Sequence, residues 1–189
     1  TYAYSLDMRS VNGTRKVRLF VQGSYANNTN VRTQSDVDIA VVQEDTFITE
    51  YRTTASGFPQ SDKDYNFHTV APVEKSFKDE VQECLERKFG KDVERKNKSI
   101  KIHGNSYRKD ADSVPCSRYR DYRNDYRKDE NNYVRGIVIY PDDGGRIINY
   151  PEQHIENGKR KKNETNRYYK KMVRIMKKMR CLMCEGGYK

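Results

Sequence analysis

The chain has 189 residues, with 37 Lys or Arg against 27 Asp or Glu and a net charge of +10, long enough for one ordinary domain or one domain plus a fragment. Leu, Ile, Val and Phe number only 35 of the 189, which at this charge borders on the composition of disorder; against that, 15 Tyr supply ring area and the aliphatics gather in short runs. No apolar stretch approaches the roughly 18 residues needed to cross a bilayer and no charged-then-apolar leader opens the chain, and four irregularly spaced cysteines (Cys84, Cys116, Cys181, Cys184) read as reduced thiols of a cytoplasmic protein rather than a disulfide framework.

In chain order, residues 1–16 are polar and read as the end of an N-terminal helix in a trimmed chain. Residues 17–22 form a strand that runs into Gly23-Ser24, and a polar turn or short helix follows to about Ser35. A second strand is predicted at 36–43. Residues 44–72 read as loop, with Gly57-Phe58-Pro59 and Ala71-Pro72 as breakers. Val73, Phe77, Val81, Leu85 and Phe89 recur every four residues, predicting a helix over 73–89 that Gly90 stops. Strands follow at 99–103 and 107–114, the second ended by Pro115. Residues 119–133 read as a charged, Tyr-rich connection. The tyrosines between 119 and 140 offer faces on which bases could stack, or simply pack in the core or on the surface. Strands at 134–140 and 146–150 flank "PDDGG", a hairpin signal. Residues 164–182 form a long basic amphipathic helix.

Positive charge is concentrated at one end. From 151 to 189 there are 12 Lys or Arg against 4 Glu, so this segment carries +8 of the +10. Such a segment implies an anionic partner, whether nucleic acid, nucleotide phosphates or an acidic protein, unless it is only a solvated helix face. Cys181 and Cys184 form a single C-x-x-C on this helix; zinc would need two further ligands, and none is evident from spacing.

The stretch "GSYANNTNVRTQSDVDIAVV", 23–42, carries the chemistry. Residues two apart on a strand share a face, so Asp36 and Asp38 project together while Val37 and Ile39 turn to the core. Paired carboxylates repel unless a cation lies between them, and hard oxygens in that arrangement suit Mg²⁺ bound with substrate phosphates. A solvated strand face is the alternative for an isolated pair. The Gly-Ser turn upstream adds a place where backbone amides and a hydroxyl can approach a phosphate.

These residues resemble the nucleotidyltransferase superfamily with a DNA polymerase β-like palm, whose pattern is hG[G/S], a spacer, then Dh[D/E]h. The "QGSY…TNVR…SDVDI" wording is most similar to bacterial cyclic-oligonucleotide synthases of anti-phage defence, relatives of cyclic GMP-AMP synthase and oligoadenylate synthetase. The resemblance implies a third acid before "VP", which "KDADSVPCSRYRDY" supplies as Asp112; Asp110, two residues earlier, is the other candidate. The Val-Pro step is expected to end this strand near the sheet edge, placing Asp112 at the open end of the site. Ser113, Cys116 and Ser117 stand where the family is apolar, which weakens the expected packing beneath Asp112. "TNRYYKKMVRIMKKMR" is similar to the helix that opens the family's C-terminal half, with Thr165, Asn166, Lys170, Arg174 and Lys177 at matching positions.

The resemblance implies an α/β fold: a nucleotidyltransferase palm over 1–150, a mixed sheet with flanking helices, followed over 151–189 by the beginning of a helical substrate-binding domain, incomplete here. It implies that NTPs are joined into a cyclic or linear oligonucleotide second messenger with release of pyrophosphate. Asp36, Asp38 and Asp112 would hold two Mg²⁺ (or Mn²⁺) ions. Gln22, Gly23 and Ser24 would contact the triphosphate, with Lys170 or Lys177 neutralising its leaving end. The product would be read by a separate effector protein. Transfer onto RNA or protein is the alternative within the class, and a catalytically silent nucleic-acid binder the alternative outside it; nucleic acid is possible but not favoured, and no membrane is implied. The scattered His68, His103 and His154 read as structural or surface residues.

Overall fold

The computed structural model describes residues 9–10, 13–14, 16–31, 36–52, 61–68 and 75–187. Its centre is a seven-stranded mixed sheet. After a two-residue antiparallel pair, β1 (Arg9–Ser10) and β2 (Gly13–Thr14), come β3 (Val17–Val21), the single turn α1 (Gly23–Ala26) and β4 (Val37–Glu50). Helix α2 (Phe77–Phe89) leads into β5 (Val93–Arg95), β6 (Ile100–Ile102) and β7 (Ala111–Asp121). The hairpin β8 (Val134–Ile139) and β9 (Ile147–Asn149) precedes α3 (Pro151–Glu164) and α4 (Tyr168–Glu185). The sheet runs β3-β4-β7-β6-β5, with β8 pairing β7 and β9 pairing β8. Among the described residues only the central pair β4·β7 is parallel.

Alternation along the two central strands splits the core into two layers. Val41 packs with Val81, Leu85, Ile100 and Ile102 beneath α2. Ala40 and Val42 face the other way and pack with Val114, Cys116, Ile137 and Ile139. Helix α2 forms where the four-residue repeat puts Phe77, Val81, Leu85 and Phe89 on one stripe. Ser76 caps it, its hydroxyl accepting from the Asp79 amide at 3.2 Å. Gly90, at φ 55°, ends it. The start at Phe77 is later than the repeat suggested; Val73 lies outside the described residues, as do Gly57-Phe58-Pro59 and Ala71-Pro72.

Several expectations are corrected. The end of an N-terminal helix gives way to strand pairing at 9–10 and 13–14. The stretch 44–50, expected as loop, continues β4 past an irregularity between Gln43 and Phe47, and a 3₁₀ turn occupies Asp62–Tyr65. Strand β7 does not stop at Pro115 but runs on to Asp121, taking in part of the expected 119–133 connection. Its other flank pairs with β6 over 111–113 and with β8 over 117–121. Pro115 falls in the gap between them, where its missing N–H disrupts no ladder on that side.

At and beyond the end of β7 the tyrosines divide between core and surface, with Tyr126 exposed beside Arg52. Tyr119 and Tyr122 are fully buried, and Tyr122 lies 4.5 Å, centroid to centroid, from Tyr65. The buried Asp125 carboxylate organises this turn, accepting from the Tyr65 hydroxyl, the Arg127 and Asp129 amides and Asn132 Nδ2.

The helix expected over 164–182 is present from Tyr168 as α4, while Glu164 closes a separate helix, α3, over 151–164 that the sequence left without an element. Pro151 opens α3 at its first turn, where a missing N–H costs nothing. Asn166 and Arg167 at φ 47° and 70° break the chain direction. Thr165 joins the two helices: its hydroxyl donates to Lys161 O at 2.7 Å and accepts from the Tyr169 amide at 3.0 Å.

Candidate active site

Asp38 stands on the same side of β4 as Ala40 and Val42, at the cleft that residues of α3 and α4 line, and Asp36 comes one position before the strand begins. The parallel register sets Asp38 opposite Asp112. Adjacent strands are about 4.8 Å apart, so the two carboxylates stand side by side. Burial pushes the Asp38 carboxyl above the usual carboxylate range, and the charges of Asp112 and Asp36 push it further. The structure therefore brings the three acids into one electrostatically coupled row.

Asp112 does not owe its place to a strand end, because β7 continues for nine more residues to Asp121. Register with Asp38 places it. Asp110 is already engaged elsewhere: Oδ1 accepts from the Gly104 amide at 2.6 Å and Oδ2 pairs with Lys101 Nζ at 2.8 Å. Lys101 and the hydrogen bond from Gly104 hold the Asp110 carboxyl below its ordinary value.

Beneath the row the packing is mixed. Cys116 behaves as a core residue, its thiol pushed up to about 12 by burial. Ser113 is buried with its hydroxyl lacking a hydrogen-bond partner among the described residues.

The Gly-Ser turn presses against Asp38. The Gln22 amide donates to Asp38 O at 2.9 Å, and Gly23 turns at φ 66°. A Cβ on Gly23 would lie 2.2 Å from Asp38 Oδ2, so only glycine leaves room for this carboxylate. Gln22 is buried, and its Oε1 lacks a partner among the described residues.

From this turn an open cleft of about 900 Å³ extends to α3 and α4. Gln22, Gly23, Ser24, Asp38, Lys170 and Lys177 all line it. Asp36 and Asp112 stand beside Asp38 rather than on its wall. Lys177 Nζ donates to Thr29 Oγ1 at 3.3 Å, and Arg174 donates to Asn28 O at 2.8 Å. These bonds tie α4 to the turn. Gly158 lets α3 come close, since a Cβ there would meet Asn27 Oδ1 at 2.9 Å. Burial, with Lys162, Lys159 and Arg174 nearby, holds the Lys170 ammonium below the usual lysine value.

The cleft also uses residues that the sequence did not single out, among them Asn149, Arg160, Lys161 and Tyr169, and His154, expected as a structural or surface residue, lines it too. Missing α3 hid most of these; Pro151, at a helix-start position, was the signal. Cys181 and Cys184 are free thiols on α4.

A divalent cation fits the chemistry of the acid row: hard oxygen donors, mutually repelling, one with its carboxyl pushed upward. Among the described residues no three acidic, His or Cys groups already converge as a ready-made metal site, and Asp36 instead meets Lys101 Nζ at 3.1 Å.

A parallel pair of acid-bearing strands, a glycine turn against the acids and a basic cleft define a nucleotidyltransferase. Residues 6–130 match the family model for the nucleotidyltransferase domain, and 156–189 that for the cGAS/DncV-like nucleotidyltransferase C-terminal helical domain. The chain belongs to the cGAS/DncV-like nucleotidyltransferase family. It is 51% identical over 181 residues to a cyclic GMP-AMP synthase, CdnE03, of Staphylococcus schleiferi, covering 95% of this chain and 54% of that protein. It is 38% identical to a cyclic dipyrimidine nucleotide synthase of Legionella pneumophila, over 97% of this chain and 61% of that one. Among solved structures, the Rhodothermus marinus CdnE c-UMP-AMP synthase with Apcpp and Upnpp superposes with a TM-score of 0.73 at 34% identity, covering 93% of this chain and 57% of that chain. The chain thus spans little more than half the length of these relatives.

Proposed function

We propose that the protein joins two or more NTPs into a cyclic or linear oligonucleotide, releasing pyrophosphate, and that Asp36, Asp38 and Asp112 hold the divalent ions this requires. The observation that carries the reading is the register of Asp38 beside Asp112, with Asp36 adjoining and the Gly23 turn opening into a basic cleft. The names of the relatives, which join different pairs of bases, support the reaction class and leave the bases open. The product would act through a separate effector protein, in keeping with the anti-phage resemblance.

The chain's own residues supply binding and charge. Gly23 lets a triphosphate approach the backbone of the turn, where the Ser24 hydroxyl and the Gln22 side chain meet it. Lys170 and Lys177, across the cleft on α4, neutralise the end that leaves as pyrophosphate. Bound at the acid row, Mg²⁺ or Mn²⁺ would lower the pKa of the attacking hydroxyl and stabilise the leaving oxygens. No histidine base is then needed. The palm over 1–150 would carry the chemistry and the helical segment from 151 the far wall of the cleft.

The test is incubation of the protein with labelled NTPs and Mg²⁺, with no polymer added. A protein-free, phosphatase-resistant product is expected. Labelled RNA or protein, or no turnover, would favour the transferase or the silent binder instead. Asp112→Ala should eliminate product, whereas Asp110→Ala, whose carboxylate is engaged by Lys101 and Gly104, should keep at least about a tenth of the rate. The reverse order would move the third ligand to Asp110.

A further inference from the structure

Lys101 lies in the acid row although nothing in the family pattern called for it. Strand β6 sets Lys101 opposite Asp112 on one side of β7, just as β4 sets Asp38 opposite it on the other. Ile100 and Ile102 turn into the core beneath α2, so Lys101 must project onto the face that carries the acids. Its Nζ is 3.1 Å from Asp36 Oδ2 and 2.8 Å from Asp110 Oδ2. The two partners differ. Asp110 is pinned by the Gly104 amide, whereas Lys101 is the ion-pair partner of Asp36 among the described residues.

We propose that Lys101 is a resident counter-ion that competes with the divalent cation for Asp36, and that Asp110 is the anchor to which its ammonium withdraws when the cation binds. The inference rests on the carboxylate reading proposed above. Like charges crowded on neighbouring strands destabilise one another, and one ammonium among them relieves that repulsion while the row is empty. A cation that takes the oxygens of Asp36 must displace the ammonium from them. Asp110 lets the displacement occur without leaving Lys101, only 20% exposed, unpaired. The pair Lys101–Asp110 therefore sets the cation concentration at which the row fills.

Mn²⁺ binding to the purified protein, followed by electron paramagnetic resonance, tests this without turnover. Lys101→Met keeps the stem and removes the competitor; the Mn²⁺ dissociation constant should fall roughly five-fold. Asp110→Asn removes the anchor and leaves the ammonium to Asp36, so the constant should rise by a similar factor, roughly five-fold. In the Lys101→Met background, Asp110→Asn should change affinity by less than about two-fold, because its effect acts only through Lys101. Lys101→Arg, which keeps the charge, should stay near wild type and serves if the Met variant does not fold. No Mn²⁺ bound by the wild type would remove the carboxylate reading and this inference together. If the wild type binds Mn²⁺ but Lys101→Met does not tighten it, or Asp110→Asn weakens it equally in both backgrounds, the competition is overturned while the carboxylate reading stands.

Discussion

Gly23 and Asp38 constrain each other. A methyl group on Gly23 would stand 2.2 Å from Asp38 Oδ2, and a φ of 66° already disfavours any side chain. Gly23→Ala should therefore swing the carboxylate out of the row and abolish turnover while circular dichroism shows the sheet and helices intact; retained activity would break the assignment. Asp38 itself is kept at a cost to the fold. Its carboxyl is raised by burial first and then by Asp112 and Asp36, so protonation favours the folded state. The penalty is absent below the unfolded pKa and grows as pH rises through the folded one. Asp38→Asn should end turnover yet raise the metal-free melting temperature at pH 7, with the gain fading as pH falls below about 4. Melts at the two pH values check both signs.

At the scale of elements, residues two and four apart were easier to read than the lengths of strands. The pair Asp36/Asp38 and the stripe on α2 follow from one segment's own period. What extended β4 and β7 was each other: their parallel pairing resumes beyond Gln43 and carries 47–50 alongside 118–121, a partnership that local breakers could not reveal. Pro115 argued for an end, and the gap between β6 and β8 removed the penalty it signals. Helix α3 was hidden because its stripe is weak, with Gly158 and Pro151 as its buried residues. Lys101 lies within the strand expected at 99–103, and the pairing of β6 with β7 is what brings it to the acids. The β8–β9 turn, legible from "PDDGG", is stapled to α2 by side chains. Arg95 pairs with Asp142 at 2.7 Å and Asp79 at 2.8 Å, and the buried Lys78 reaches Asp142 at 2.9 Å. Arg95, then Lys78, hold the Asp142 carboxyl down at about 2. A depressed carboxylate stabilises the fold above its unfolded pKa and loses that contribution as pH falls through the folded one. Asp142→Asn should lower the melting temperature at pH 7, by less than about 1 kcal/mol of stability given the exposure of the pair, and should match wild type near pH 2. A difference that persists at low pH would mean the loss is not electrostatic.

Across the whole molecule, charge is divided between a nearly balanced sheet and a helical segment that carries +8 of the +10. No described helix is long and apolar enough to cross a membrane. The outer side of α4 exposes Met172, Ile175, Met176, Met179, Leu182 and Met183, each more than half accessible, while its opposite side presents Lys170, Val173 and Lys177 to the cleft. The cations that matter for an anionic substrate are therefore those that face the glycine turn, not the total. Lys170 is the most telling, since it is crowded by Lys159, Lys162 and Arg174 and its ammonium is already held low. A triphosphate in the cleft would relieve that crowding, and a long polyanion would contact the exposed Lys159 and Lys178 as well. Lys170→Ala should then weaken NTP binding by about ten-fold, the scale of one charge-assisted hydrogen bond in a partly dry site, with little change in affinity for duplex DNA or RNA. Nucleotide titration and gel-shift on the same variant decide the point. Polymer affinity that falls, together with a flatter salt dependence, would assign the helical segment to nucleic acid instead.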